Sequence, residues 1–423
     1  MPKLTMKQFS FAAISPVIEE ISIFVRNIII ARLCGAETLG SFLFILILLR
    51  LGHMSTDLSV ERFIIAQSGG DRVTAEDRIR AGHSLMLCRA VILVLAVVCF
   101  SFTAQNVLSA DIVPWLIAMI LIQGVTNLGY HTEQIGLTYH NQVIMKAVIP
   151  MAGVGGLLIV LLYRPDLSAA LAVVTLTSAV QMIVSHCLSH HRYALGFCPV
   201  LMKKMIRFGL PLLGASAVMF WSMQGDRVII GTLFTAEEFA RFSISFQLAL
   251  VPVLILGKIS LLIGLPLAAA KMKAEKRGNA TAVINQFLAQ ALYLYTGAAF
   301  IFVSIYYWGA NILSGWVFGP EFYTAPIVIL LIGLCQAGRI MRTPSSIIAQ
   351  AAGHTVIPFK ANIIRLLGTA FGAVFLLSSG GITDLLLAAL CAELLAFLYQ
   401  TTALKTALMP AEMAGSQKLV KGL

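Results

Sequence analysis

Twelve apolar runs of about twenty residues each limit what this chain can become. They fall near 10–31, 39–61, 84–104, 112–131, 144–163, 168–188, 208–231, 240–266, 283–308, 325–349, 357–377 and 384–404. At 1.5 Å rise per residue, a helix of that length covers the ~30 Å hydrocarbon core of a bilayer. Spanning strands would be short segments of alternating hydrophobicity, whereas these runs are continuous and read as helices. Hydrophobic residues make up 59% of the chain and charged ones 12%, against about 25% charged in ordinary soluble domains. The sequence therefore predicts an all-α integral membrane protein with about twelve transmembrane helices, its ligand environment including the lipid bilayer itself.

Charge sorts the loops. The net charge of +11 would hint at nucleic acid in a soluble protein. Here it follows from topology, because cytoplasmic loops are enriched in Lys and Arg, and no nucleic-acid partner is expected. With the N-terminus cytoplasmic and twelve crossings, the inside segments hold 18 basic residues and the outside loops three, Arg32, Arg164 and Arg241. Both termini are thus expected in the cytoplasm. The first apolar run carries Glu19, Glu20 and Arg26, unlike a cleaved signal. The seven cysteines are scattered without metal or disulfide spacing. No phosphate-binding glycine loop, HExxH, CxxC or GxSxG occurs. The sequence implies no enzyme, cofactor or metal, and transport is what remains.

The halves echo each other. Residues 28–42 read IIIARLCGAETLGSF, and two hundred positions later 228–242 read VIIGTLFTAEEFARF, with six ungapped identities including Glu37/Glu237 and Phe42/Phe242. HNQVIMK (140–146) and HTVIPFK (354–360) repeat His and Lys at one spacing. A 6+6 duplication follows, each half a six-helix bundle with the substrate site between them. The expected division is 1–189 and 208–405 for the bundles, 190–207 for a cytoplasmic connector and 406–423 for a cytoplasmic tail.

Polar stripes interrupt several runs. On helical spacing, Ser15, Glu19, Ser22 and Arg26 fall within roughly 60° of one another, and Arg50, His53, Asp57 and Glu61 within roughly 80°. Gln123 and Asn127 share a face of the fourth run, Asp226–Arg227 lie in the seventh, Lys258 in the eighth, and Gln336, Arg339 and Arg342 in the tenth. A charge near the bilayer centre costs about 2.5–3.5 kcal/mol on insertion scales, so these groups need a water-filled cavity, an opposite charge or a route to the interface. Of nine basic residues within spans, eight are Arg. Arginine stays protonated and grips phosphate with two parallel hydrogen bonds. The candidate substrate contacts are therefore Arg26, Arg50, Arg227, Lys258, Arg339, Gln123 and Asn127. Asp57, Glu19, Glu61 and His53 are the candidates for ion coupling. Structural ion pairs between helices are the competing account of the same charges.

FVRNIIIARLCGAETLGSF (24–42) and DRVIIGTLFTAEEFARFSI (226–244) resemble the polysaccharide-transporter or O-antigen flippase (Wzx-type) family of the multidrug/oligosaccharidyl-lipid/polysaccharide exporter superfamily. Gly35, Glu37, Gly40 and Phe42 match its short interhelical turn, while Thr235 and Ala240 depart from it in the second half. The resemblance implies two six-helix bundles of multidrug-exporter type, alternating between cytoplasmic and periplasmic openings. It implies a multi-pass protein of the bacterial inner membrane that flips undecaprenyl-diphosphate-linked oligosaccharides to the periplasmic leaflet for O-antigen, capsule or exopolysaccharide synthesis. A polysaccharide polymerase and a chain-length regulator are the partners so implied, and a monomer suffices. A cation-coupled multidrug antiporter is the alternative, since it shares the topology.

Overall fold

The computed structural model describes residues 6–66, 74–103, 110–136, 140–274, 280–379 and 381–408. Most of the expected tail, residues 409–423, lies outside the described residues, as do 67–73 and 275–279 of two basic loops. Among the described residues every regular element is helical. In chain order these are α1 (Met6–Thr56), α2 (Val60–Ala66), α3 (Ala75–Thr103), α4 (Val113–Gly124), α5 (His140–Val143), α6 (Ile149–Tyr163) and α7 (Leu167–Leu188). There follow α8 (Pro199–Leu233), α9 (Ala236–Ala274), α10 (Ala280–Val317), α11 (Pro326–Ala351), α12 (Val356–Ser379) and α13 (Ile382–Ala407). A π-turn over Ile144–Val148 joins α5 to α6, so His140–Tyr163 is one span.

Ten of these helices are long and apolar enough to cross a membrane, against twelve predicted. The first cause lies in α1, whose Gly35 has φ +83°, a conformation glycine adopts without steric cost. The guanidinium carbon of Arg26 sits 5.2 Å from the Phe42 ring centre. Sixteen residues of straight helix would hold the two apart by about 24 Å. The chain therefore folds back at Gly35, and α1 is two helices.

The second cause is α4, which stops after 12 residues. The predicted run 112–131 leaves the helix at Val125 and tightens into a 3-10 segment, Leu128–Gly136. Asn127 accounts for the break, because its Oδ1 accepts the Gly129 N–H at 2.8 Å and its Nδ2 donates to the His191 carbonyl at 2.8 Å. Such local bonds offer the backbone an alternative to the helix ladder. Gln123 and Asn127 thus do not share a helical face.

A related break corrects the second predicted run. The helix ends at Thr56, Asp57 Oδ1 accepts the Ser59 N–H at 2.9 Å, and Ser59 takes φ +49°. Glu61 lies beyond this turn, on α2. The expected stripe Arg50–His53–Asp57–Glu61 is not one helical face.

The chain forms two compact units, Met1–Ala217 with Thr235–Ala240, and Val218–Phe234 with Arg241–Leu423. The expected connector 190–207 contracts to an irregular stretch, 189–198, because α8 begins at Pro199. That stretch is pinned to α3. Ser84 Oγ donates to the Gly196 carbonyl at 3.1 Å, and Tyr193 stacks on His83 at 4.3 Å. His83 Nε2 accepts the Leu128 N–H at 3.0 Å, so its Nδ1 carries the proton donated to the Ala194 carbonyl at 3.1 Å.

The sequence echo has a structural counterpart. The helix break at Gly35 and the α8–α9 turn at Thr235 occupy equivalent positions. Thr235 and Glu238 form a reciprocal cap on α9, with Glu238 Oε2 accepting the Thr235 N–H at 3.1 Å and Thr235 Oγ1 accepting the Glu238 N–H at 3.3 Å. Within the first unit the two turns touch. A Cβ at Gly40 would collide with the Ala236 carbonyl, and Phe44 meets Phe239 edge-on at 5.6 Å. In each half an arginine lies over a phenylalanine of the following helix, Arg26 over Phe42 and Arg227 over Phe246.

Outward, the helices expose Leu162, Tyr163, Phe300, Trp308 and Trp316. Large apolar side chains exposed in this number are unfavourable in water and natural against lipid.

Candidate functional site

Three cavities, each contained within one unit, collect the charged side chains. The first lies between the first arm of α1 and helices α6 and α7, with a volume of about 210 Å³. That arm is continuous helix, so Glu19, Ser22 and Arg26 all line it, facing Thr177 and Gln181 of α7. Arg26 Nε is buried without a hydrogen bond, and its guanidinium makes no ion pair with any described residue. Its contact is the face of Phe42, a cation–π interaction worth about 0.5–2 kcal/mol.

The second cavity, about 200 Å³, is lined by His53, Arg89 and Gln123. Arg89 of α3 is its centre. It donates to the Thr56 hydroxyl at 3.1 Å and the His53 carbonyl at 2.9 Å, and its Nη1 lies 3.8 Å from Asp57 Oδ1. The partner of Asp57 is therefore Arg89, not Arg50. Arg50 is exposed and bonds to no described residue. Glu61 stands apart with His131 Nε2 at 3.8 Å.

The third cavity, about 270 Å³, belongs to the second unit and is lined by Arg339, Arg342, Asn362, Arg365 and Gln400 among others. At its wall Glu393 of α13 is 3% exposed and faces three guanidiniums. Arg365 of α12 contacts it directly, Arg342 Nε is 3.4 Å away and Arg339 Nε 4.0 Å. Asn362 Oδ1 accepts from Arg342 at 3.1 Å and from Arg365 at 3.3 Å, and Arg365 also donates to the Ser222 carbonyl at 2.7 Å. The glycine at 338 makes room, since a Cβ there would strike the Glu393 stem. Arg227 is buried beside Asp226 on α8, its Nη1 donating to Gln224 Oε1 at 3.0 Å. Arg227 and Arg339 both approach the Phe246 face, at 5.7 and 5.8 Å.

Two remaining candidates are placed elsewhere. Lys258 is exposed, and only its neighbour Gly257 lines the third cavity. Asn127 is 1% exposed with both ends of its amide bonded to backbone, which makes it a structural group. Sequence reasoning gave Arg89, Arg342, Arg365 and Glu393 no site role. The usable signal was reciprocal charge: an acid inside the last span needs basic partners in neighbouring spans.

Ten helices long and apolar enough to cross a membrane, with charged cavities among them, define a multi-pass helical membrane protein. The chain belongs to the polysaccharide biosynthesis protein family, whose model matches residues 29–308. Its fold resembles a multidrug resistance MATE transporter in the inward-facing conformation, at TM-score 0.64 and 12% identity over 92% of this chain and 95% of that one. It also resembles the lipid II flippase MurJ in an inward closed conformation, at TM-score 0.66 and 14% identity over 94% of this chain and 87% of that one. A third likeness is to a transporter of the multidrug/oligosaccharidyl-lipid/polysaccharide exporter superfamily from Pyrococcus furiosus, at TM-score 0.56 and 13% identity over 96% and 99% of the two chains. No curated protein matches the sequence significantly.

Proposed function

We propose that this protein moves lipid-linked oligosaccharides, joined to their lipid through a diphosphate, from the cytoplasmic to the periplasmic leaflet of a bacterial inner membrane. The observation that carries the reading is Arg26, a guanidinium on a cavity wall with its Nε buried and no ion-pair partner among the described residues. A fixed cation inside a membrane domain is costly, and an anionic substrate group is its natural complement. Family membership and a structural likeness to a protein named a lipid II flippase point the same way. Arg50, exposed and unpaired among the described residues, is the second candidate contact.

Deletion of the gene is expected to abolish a surface polysaccharide. The intact protein restores it, whereas Arg26→Ala at equal expression does not. Full rescue by Arg26→Ala would remove Arg26 from the pathway. Glu19 on the same cavity wall favours a second reading, a cation-coupled multidrug exporter with Glu19, Asp57, Glu61 and His53 as coupling groups. Changed drug susceptibility on deletion, with polysaccharide intact, decides for that reading.

A further inference from the structure

We propose that Glu393 is a resident counter-anion, and that the cavity it borders in the second unit binds a phosphate-class oxyanion that takes over its arginines. Three guanidiniums converge on this one carboxylate, and their contacts are graded. Arg365 touches it, Arg342 lies at 3.4 Å and Arg339 at 4.0 Å. All three arginines line the open cavity, and the two longer contacts leave Arg342 and Arg339 the less tightly held by the carboxylate. Asp226 lies within electrostatic reach of Arg227, Arg339 and Arg365 but does not balance the set, since with Arg342 four cations then face two carboxylates.

A buried surplus of positive charge is unfavourable unless an anion joins it. A protein built only for stability would match the charges or replace them by apolar groups. The donors suit a tetrahedral oxyanion. Arginine offers paired N–H groups in a rigid fork, and the cavity's volume is roughly that of nine waters. In the free protein Glu393 keeps the guanidiniums ordered and offsets part of their charge. An entering phosphate group takes Arg342 and Arg339, while Arg365 keeps the carboxylate. On departure of the ligand Glu393 reclaims them, which makes it a built-in competitor that aids release.

The site stands independently of the export reading, on which only the source of the anion rests. The test uses the purified full-length chain in nanodiscs of zwitterionic lipid, with sodium pyrophosphate titrated against sodium chloride of equal ionic strength. Pyrophosphate is expected to raise the Tm saturably. Arg342→Ala is expected to weaken that response at least tenfold while leaving the ligand-free Tm unchanged or higher, because it relieves the charge surplus. Glu393→Gln is expected to tighten pyrophosphate binding several-fold. If that variant does not fold, Arg342→Ala carries the test alone. Displacement of pyrophosphate by a polyprenyl diphosphate assigns the anion to a lipid-linked sugar, and displacement by phosphatidylglycerol assigns it to a membrane lipid. Either supports the site. No effect of pyrophosphate on the wild type, or a lowered Tm with unaltered binding in Arg342→Ala, overturns it and leaves a purely structural ion cluster. Pyrophosphate binding by a protein that does not export polysaccharide would overturn the export reading and spare the site.

Discussion

Asp57 and Asn127 each capture a backbone N–H two residues ahead, at 2.9 and 2.8 Å. In both places a short polar side chain competes with the helix ladder and wins, so a polar stripe drawn on an ideal helix fails there. Glu19, Ser22 and Arg26 contain no such competitor, and their shared face was legible from spacing alone. Ser22 even turns its hydroxyl back to the Ile18 carbonyl at 2.8 Å without breaking α1. Asn127→Ala strips the buried Gly129 N–H of its partner, while the His191 carbonyl still accepts from Ser189 Oγ at 2.9 Å. The expected loss is about 1–3 kcal/mol for the group left unsatisfied, visible as a lower Tm in detergent. Polysaccharide export at a permissive temperature is expected to persist. Loss of export at unchanged Tm would return Asn127 to the substrate pathway.

Among the elements, the paired interhelical turns are the most constrained. The missing Cβ of Gly40 leaves room for the Ala236 carbonyl, a backbone atom that no rotamer change moves aside. Gly40→Val is therefore expected to destabilise by about 1–3 kcal/mol, the usual range for overpacking, measured as a fall in Tm. An unchanged Tm would mean that the turns part easily. Helix α7 has a different kind of support at its start. Asp166 caps it, its carboxylate accepting the Ala169 N–H at 2.6 Å with Arg164 alongside. These contacts, the backbone bond first, hold the Asp166 carboxyl below its ordinary range. A depressed folded value means the contribution is complete above the unfolded value of about 4 and is lost as pH falls through the folded one. Asp166→Ala is expected to cost about 1 kcal/mol at pH 7. The Tm gap between variant and wild type should close on acidification below pH ~4, and a gap independent of pH would rule out the charged cap.

For the whole molecule, contacts within each unit sort the interhelical segments into two sets. One contains the turns at Gly40 and Ala236, the start of α4 joined to that of α7 by Trp115 Nε1 donating to Ser168 at 2.9 Å, and Thr324 reaching the Arg241 carbonyl at 3.4 Å. The other contains Glu61 with His131, Asn127 with Ser185 and His191, and His83 with Ala194. Arg32, Arg164 and Arg241, the three basic residues expected in outer loops, fall in or beside the first set. The sequence could give this partition because hydropathy and loop charge act along the chain. It could not give the Arg339–Arg342–Arg365–Glu393 cluster, which depends on how α11, α12 and α13 are rotated toward one another. Contacts pair the loops, while only charge says which set faces the cytoplasm, and labelling tests that. In a variant keeping only the exposed Cys198, a membrane-impermeant maleimide is expected to react in permeabilised spheroplasts and not in intact ones. Arg164→Cys in a cysteine-free background, at an exposed position between α6 and α7, is expected to react in both. The inverse pattern would reverse the orientation, and reaction of both sites from one side would break the count of crossings between them.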